Sequence, residues 1–276
     1  MKHLLPVKIT KMSGAGNTFV LIDARKNSKW LENEVKLKIT RAEFSKMICD
    51  KVLGVGTDGA LFLESGSSPV EYKWDFYNSD GSTAEMCGNA ARCAARFCYE
   101  IFENQERSQF EFVTGAGSVH AQMLGSDKIR VHMPEAKLVK EDFEGMMLVN
   151  TGVPHLVKKI AHFSEAVAQK EFAKQMRRHA GLGQAGANVT FYSEETPTRI
   201  RAVSFERGVE DFTLACGTGA VAAAMVQMKR TGEHEIEVHM PGGMIVVVFN
   251  DNDPHPYMIG DAVFVGEFQY NLEVFR

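Results

Sequence analysis

The sequence predicts an α+β fold made of two pseudo-symmetric halves, each a curved, mostly antiparallel, barrel-like sheet around a buried central helix. Three observations predict it. Short β-type runs dominate the chain, and many are joined by short Gly, Asp or Asn turns, which favours antiparallel pairing. Two helix-like stretches, 88–102 and 217–230, are apolar or small around most of their circumference, the mark of a helix enclosed by other elements. A set of short motifs also occurs twice in the same order.

In the first half the β-type runs are 7–12, 18–23, 60–64, 71–77, 109–113, 118–123 and 128–133. In the second they are 147–151, 156–160, 188–192, 199–205, 235–240, 244–249 and 258–265. Helices are expected at 41–52, 88–102, 165–179 and 217–230. The halves echo each other. Val131-His132-Met133-Pro134 recurs as Val238-His239-Met240-Pro241, and the Ser13–Asn17 turn matches Thr151–His155 in register. Asn78-Ser79-Asp80-Gly81 precedes Cys87 as Glu206-Arg207-Gly208 precedes Cys216. The expected division is 1–136, carrying Cys87, and 137–276, carrying Cys216, with the charged stretch 137–144 as the crossing segment.

Composition narrows the function. The chain has 276 residues, 45% of them hydrophobic, enough for one large or two ordinary domains. A net charge of −4 gives no basic field for nucleic acid or anionic membrane. The apolar runs are far too short to span a bilayer, and the first residues lack the apolar stretch of a signal peptide. Five cysteines, with no Cys-x-x-Cys pair, fit a reduced cytoplasmic protein and argue against a structural zinc site.

The chemistry centres on two of those cysteines. Cys87 and Cys216 are each followed by a glycine and then by a small-residue helix. A thiol at a helix start is where thiolate formation is favoured, and the unpaired N–H groups there suit a carboxylate. Gly88 and Gly217 let a ligand approach the backbone closely. Two matched acid/base groups are what inversion of a carbon by proton transfer needs: one removes the weakly acidic α-proton and the other donates from the opposite face. Cys49, Cys93 and Cys98 read as inert packing. His155 and Glu206 fall in segments that the repeat places around the cysteines, and a histidine there can hold a thiol's proton. Arg207 suits a carboxylate clamp. Asn17, Asn78, Asn89 and Asn188 lie beside turn residues and are candidates to hydrogen-bond a substrate's ammonium and carboxylate groups.

Taken together, these residues resemble the diaminopimelate epimerases. The likeness runs over nearly the whole chain, through Lys11-Met12-x-Gly14-x-Gly16-Asn17, Gly54-Val55-Gly56-x-Asp58, Asn78-x-Asp80-Gly81, Cys87-Gly88-Asn89-x-x-Arg92-Cys93, Gly152-x-Pro154-His155, Ala187-Asn188-Val189, Glu206-Arg207-Gly208, Cys216-Gly217-Thr218-Gly219 and Pro241-Gly242-Gly243. The resemblance implies two pseudo-symmetric domains with a cleft between them, and Cys87 and Cys216 as the two catalytic bases. It implies substrate contacts from Asn17, Asn78, Gly88, Asn89, Asn188, Glu206, Arg207, Gly217 and Thr218, with His155 and Glu206 as tuners of the thiols. It implies no cofactor, no metal and a small amino-acid substrate; no nucleic acid or membrane partner is expected, and a homodimer is left open. The chain departs from the family pattern at Gly59, where many members carry Gln, and at Val153, where many carry Asn and Thr151 stands by to compensate. The segment from Glu206 to Cys216 is one residue longer than in many members. Three other readings compete: a proline or hydroxyproline racemase-like enzyme, a Cys-His hydrolase, which leaves the second cysteine unexplained, and a non-catalytic amino-acid-binding protein, against which the presence of both cysteines argues.

Overall fold

The computed structural model describes residues 6–25, 39–68, 71–102 and 107–275. The first residues, expected to carry no signal peptide, lie largely outside that set. The chain divides into two compact units, Met1–Val131 with Asp261–Arg276, and His132–Gly260.

The first unit contains β1 (Val7–Gly14), β2 (Asn17–Asp23), α1 (Arg41–Ile48), β3 (Gly59–Ser65), β4 (Glu71–Asn78), α2 (Gly88–Ile101), β5 (Gln109–Thr114), β6 (Gly117–Met123) and β7 (Lys128–His132). The second contains β8 (Lys137–Phe143), β9 (Met146–Asn150), β10 (Pro154–Lys159), α3 (Glu165–Ala168), α4 (Lys170–Arg177), β11 (Asn188–Thr196), β12 (Arg199–Phe205), α5 (Gly217–Thr231), β13 (Glu235–Met240), β14 (Gly243–Asn250) and β15 (Asp253–Asp261). The last strand, β16 (Val263–Tyr270), returns to the first unit and pairs with β1.

The strand order is β16-β1-β2-β3-β4-β5-β6-β7 in the first unit and β8-β9-β10-β11-β12-β13-β14-β15 in the second. Pairing is antiparallel except at β2–β3 and β4–β5 in one, and at β10–β11 and β12–β13 in the other. The parallel pairs fall at the same places in both orders, so the repeat read from the motifs is a repeat of topology. Each parallel pair needs a crossover, and the helices supply it. β2 and β3 each carry a continuous buried run, 19–22 and 59–63, instead of alternating, because both their faces are covered there. One face meets the central helix α2. The other meets α1, where Phe44 and Ile48 pack on Val20, Ile22 and Phe62. The second unit repeats this with Ala173 and Met176 of α4 on Leu156, Phe191 and Phe205. Both central helices are enclosed: Ala90, Ala91, Cys93, Ala94 and Ala95 of α2 and Ala220 through Ala224 of α5 have no exposed surface. Small residues let the sheet close tightly around them. A Cβ at Gly14 would lie 2.8 Å from the Asn89 carbonyl oxygen, so only glycine allows β1 to reach the first turn of α2.

The structure corrects several expectations. The charged stretch 137–144 is a strand, β8, at the edge of its sheet; its Lys, Glu and Asp side chains face solvent, which hides the pattern and blunts an exposed edge. The run 258–265 is two strands parted at Ala262, the residues after it belonging to the first unit. The helix expected over 165–179 is interrupted at Gln169, and that over 41–52 ends at Ile48, after which the Asp50 carboxylate accepts from the Val52 and Leu53 N–H groups. Finally, the turns Ser13–Asn17 and Thr151–His155 are not in the same register. The first is a two-residue hairpin closed by Gly14 and Asn17, with Ala15 and Gly16 both at positive φ. The second is a three-residue loop closed by Asn150 and Pro154. Phe19 pairs with Gly59 as His155 pairs with Asn188, so Phe19, not Asn17, holds the place of His155.

Candidate active site

Cys87 and Cys216 are the N-cap residues of α2 and α5, both in extended conformation, and neither helix start has a side-chain cap. Their carbonyls accept the first helical bonds, from Ala91 and Ala220. Both thiols therefore sit where a helix presents its positive end. None of the five cysteines is in a disulfide. Cys49 and Cys93 are buried, which pushes their thiols up to about 11 and about 12; Cys98 is pushed up for the same reason. All three are thus poor nucleophiles at neutral pH, in keeping with a packing role.

Around Cys87, the amide of Asn17 is the hub. Its Oδ1 accepts from the thiol at 3.9 Å and from Asn89 Nδ2 at 3.4 Å, and its Nδ2 donates to Asp58 Oδ2 at 2.8 Å. Asp58 also accepts from the Thr18 N–H at 2.8 Å, so one carboxylate fixes the start of β2 and the orientation of Asn17. Asn89 in turn accepts from the fully buried Arg92 at 3.0 Å, and Arg92 interacts electrostatically with Cys87. Asn78 donates to Ser82 Oγ at 3.0 Å and braces its own turn. Gly59 lies opposite Asn78 in the ladder, and a Cβ there would lie 2.6 Å from the Phe76 ring and 2.7 Å from the Tyr77 carbonyl oxygen. The backbone at this position has no room for a side chain.

Around Cys216 the groups are different. The thiol is buried and lies 3.5 Å from Thr218 Oγ1. Thr218 Oγ1 is 3.0 Å from His155 Nε2, and His155 Nδ1 is 3.0 Å from Thr190 Oγ1. Asn188 donates Nδ2 to His155 Nε2 at 3.3 Å and accepts the Arg207 N–H on Oδ1 at 2.9 Å. Burial, and then the charge of Arg207, lower His155 to about 3, so the imidazole is neutral at pH 7. Burial pushes the Cys216 thiol up, and the charge of Glu206 adds to this; hydrogen bonds from Thr218, the Gly219 N–H and Ser204 act the other way. Glu206 accepts a short hydrogen bond from Thr213 Oγ1. Between Glu206 and Cys216, Glu210 adopts φ 58° and pairs with Arg177 of α4 and with Arg178 just after it. The Thr151 hydroxyl donates to the Thr218 carbonyl at 3.2 Å and ties its loop to α5.

Each unit thus gathers its own share of the expected residues: Asn17, Asn78, Cys87, Gly88 and Asn89 in the first, and His155, Asn188, Glu206, Arg207, Cys216, Gly217 and Thr218 in the second. Asp58, Thr190 and Ser204 were not expected as site residues. Thr190 lies two residues after Asn188, and Ser204 two before Glu206; the period-2 rule puts each on the same strand face as its neighbour, a signal present in the sequence. Among the described residues, no group of three or more His, Cys, Asp or Glu side chains is placed to hold a metal ion.

Comparison with known proteins adds the following. The family model described as diaminopimelate epimerase matches residues 9–139 and 147–265. A diaminopimelate epimerase of Aquifex aeolicus is 34% identical over 279 residues, covering 96% of this chain and 98% of the relative. Among solved structures, one described as a predicted epimerase from Pseudomonas aeruginosa superposes with TM-score 0.69 at 13% identity, covering 95% of this chain and 98% of the other. A probable proline racemase from Agrobacterium radiobacter gives TM-score 0.67 at 13% identity, covering 98% and 94%. At that identity the likeness is one of fold.

Proposed function

Because this chain belongs to the diaminopimelate epimerase family, a family of isomerases, we propose that it interconverts LL- and meso-2,6-diaminopimelate without a cofactor, by two-base proton transfer between Cys87 and Cys216. The observation that carries the reading is the matched placement of the two thiols as N-caps of the two central helices.

The chemistry follows from these residues. One cysteine, as thiolate, takes the α-proton: the C–H bond breaks, an S–H bond forms, and the electron pair stays on the α-carbon and spreads into its carboxylate. The other cysteine, as thiol, gives its proton to the opposite face, forming the new C–H bond and becoming the thiolate. Reversal exchanges the two roles. The helix starts at Gly88-Asn89 and Gly217-Thr218 are suited to hold the carboxylate on which negative charge builds up, through N–H groups that the helices leave unpaired. The charge of Glu206 biases Cys216 toward the protonated form, the Thr218 hydroxyl, the Gly219 N–H and Ser204 supply donors when it ionises, and neutral His155 acts on the thiol through Thr218. Asn17, Asn78, Asn89 and Asn188 are assigned to the substrate's polar groups; Asn17 and Asn188 are already braced by Asp58 and by the Arg207 N–H, so their orientation is set before substrate arrives. Arg207, with its fixed charge and forked donors, is assigned to the distal carboxylate.

The Cys-His hydrolase reading fits poorly. Thr218 stands between His155 and Cys216, and the second N-cap cysteine would have no task. A substrate panel tests the proposal against the racemase reading. Assayed without added cofactor, LL- and meso-diaminopimelate should turn over, while proline and trans-4-hydroxyproline should not. Lysine, which lacks the distal carboxylate and leaves Arg207 without its partner, should react slower by a factor on the order of 10⁴. Comparable kcat/KM for proline or lysine would overturn the assignment.

A further inference from the structure

The second unit holds more polar groups beneath Cys216 than the proposed reaction has used. Thr190, Ser204 and His155 have no exposed surface, and Asn188 has almost none. Thr190 and Ser204 sit directly opposite each other in the β11–β12 ladder, with their hydroxyl oxygens 2.9 Å apart. A Cβ at Gly219 would lie 2.1 Å from Ser204 Oγ and 3.2 Å from Cys216 Sγ, so both flank the same small space.

The direction of the hydrogen bonds can be worked out. Asn188 Oδ1 accepts the Arg207 backbone N–H, which fixes the amide with its NH₂ toward His155. An NH₂ only donates, so His155 Nε2 is an acceptor and the ring proton is on Nδ1. Nδ1–H then donates to Thr190 Oγ1. That leaves the Thr190 proton for Ser204 Oγ, and the Ser204 proton for Cys216 Sγ. On the other side Thr218 Oγ1 touches both His155 Nε2 and Cys216 Sγ. When Cys216 is a thiol, it donates to Thr218, whose proton goes to Nε2. When it is a thiolate, the Thr218 hydroxyl turns to the sulfur, and Asn188 keeps Nε2 satisfied.

We propose that Thr190 and Ser204 are positioning residues for Cys216. They close a hydrogen-bonded ring, running Cys216–Thr218–His155–Thr190–Ser204 and back to the sulfur, that fixes the imidazole tautomer and directs a hydroxyl proton at the thiolate. The proposal rests on the reading of Cys216 as an acid/base group, but its consequence for the thiol is independent of the substrate. The charged and titratable groups facing the ring are Glu206 and Arg207 from the turn after β12, and His155 itself from β10. The neighbours from β11, Asn188 and Thr190, and Met240 Sδ, which accepts the Cys216 N–H from β13, do not titrate.

The test is the rate of iodoacetamide alkylation at Cys216, followed by mass spectrometry at pH 8 on the whole chain without substrate, with Cys87 in the same sample as reference. Thr190→Val keeps the shape and removes the hydroxyl; Thr190→Ser keeps the hydroxyl. Without the Thr190 hydroxyl, Ser204 Oγ loses the donor that commits its own proton to the sulfur, so the thiolate fraction, and with it the Cys216 rate, should fall about tenfold in Thr190→Val, with Cys87 unchanged and Thr190→Ser close to wild type. A merely structural role predicts the opposite sign, because loosening the core admits the reagent and speeds alkylation. Should Thr190→Val fail to fold, Ser204→Ala provides the same reading. A Cys216 rate that is unchanged or faster in the folded variant, or an equal drop in Thr190→Ser, would overturn the proposal. Failure of the wild type to turn over diaminopimelate would sink the functional reading and leave this result standing.

Discussion

Replacing either Cys87 or Cys216 with alanine is expected to lower epimerisation on the order of 10⁴-fold, with the fold retained. In the proposed reaction each thiol carries one half of the proton transfer. Glu206 acts on Cys216 through its charge, and His155 is neutral, fully buried and separated from the sulfur by Thr218. Near Cys87 a hydrogen-bond partner is the amide of Asn17, which can neither take nor give a proton at neutral pH. The expected loss is the same for both variants, because inversion needs a base on one face and an acid on the other. Cys93→Ala is the control. It lies in the same helix as Cys87 but faces only packing, so it should cost stability and leave the rate near wild type. Steady-state rates with purified variants, alongside thermal melting, decide this. Near-normal turnover by either catalytic variant would contradict the two-base account.

The second large effect is expected at a residue that carries no chemistry. Gly219→Ala should lower kcat about 100-fold while leaving the melting temperature equal or higher. Gly219 lies in the first turn of α5, where alanine is the better helix former by ~1 kcal/mol. Its added methyl, however, would meet Ser204 Oγ at 2.1 Å and Cys216 Sγ at 3.2 Å. Either the serine rotates out of the ring or the helix start shifts, and a displacement of about 1 Å at a reacting group is enough for a loss of that size. Stability and activity therefore move in opposite directions. An active Gly219→Ala enzyme would show that the space between Ser204 and Cys216 is not critical.

Much of this architecture is legible in the sequence, and the exceptions have physical causes. The strands with one face on a core show themselves through apolar residues at alternate positions, as in β4 with Tyr72, Trp74 and Phe76. The edge strand β8 does not, because its sequence, Lys-Leu-Val-Lys-Glu-Asp-Phe, is mostly solvated and reads as a linker. β15 and β16 read as one strand because Ala262, where the chain passes from one unit to the other, is a small apolar residue and carries no turn signal. The two cysteines stand out because a glycine and a small-residue helix follow each. The ring beneath Cys216 does not stand out. Threonine and serine are ordinary strand residues, and their role arises only when the β10–β11 and β11–β12 registers bring His155, Thr190 and Ser204 side by side. The non-equivalence of the two thiols was hidden by reading Asn17 against His155. The ladders place Phe19 there, so His155 has no histidine counterpart at that position of the first unit.

The central claim is that two different thiols act on opposite faces of one carbon, and deuterium labelling tests it most directly. LL-diaminopimelate is incubated with the enzyme in deuterated water without added cofactor, and both pools are analysed by NMR at low conversion. A thiolate that takes a proton from the substrate holds protium, while the opposing thiol has already exchanged with solvent. The account predicts one deuteron at the inverted carbon of every meso molecule formed, and none in the recovered LL substrate. Equal labelling of recovered substrate and product, or product without label, would contradict it.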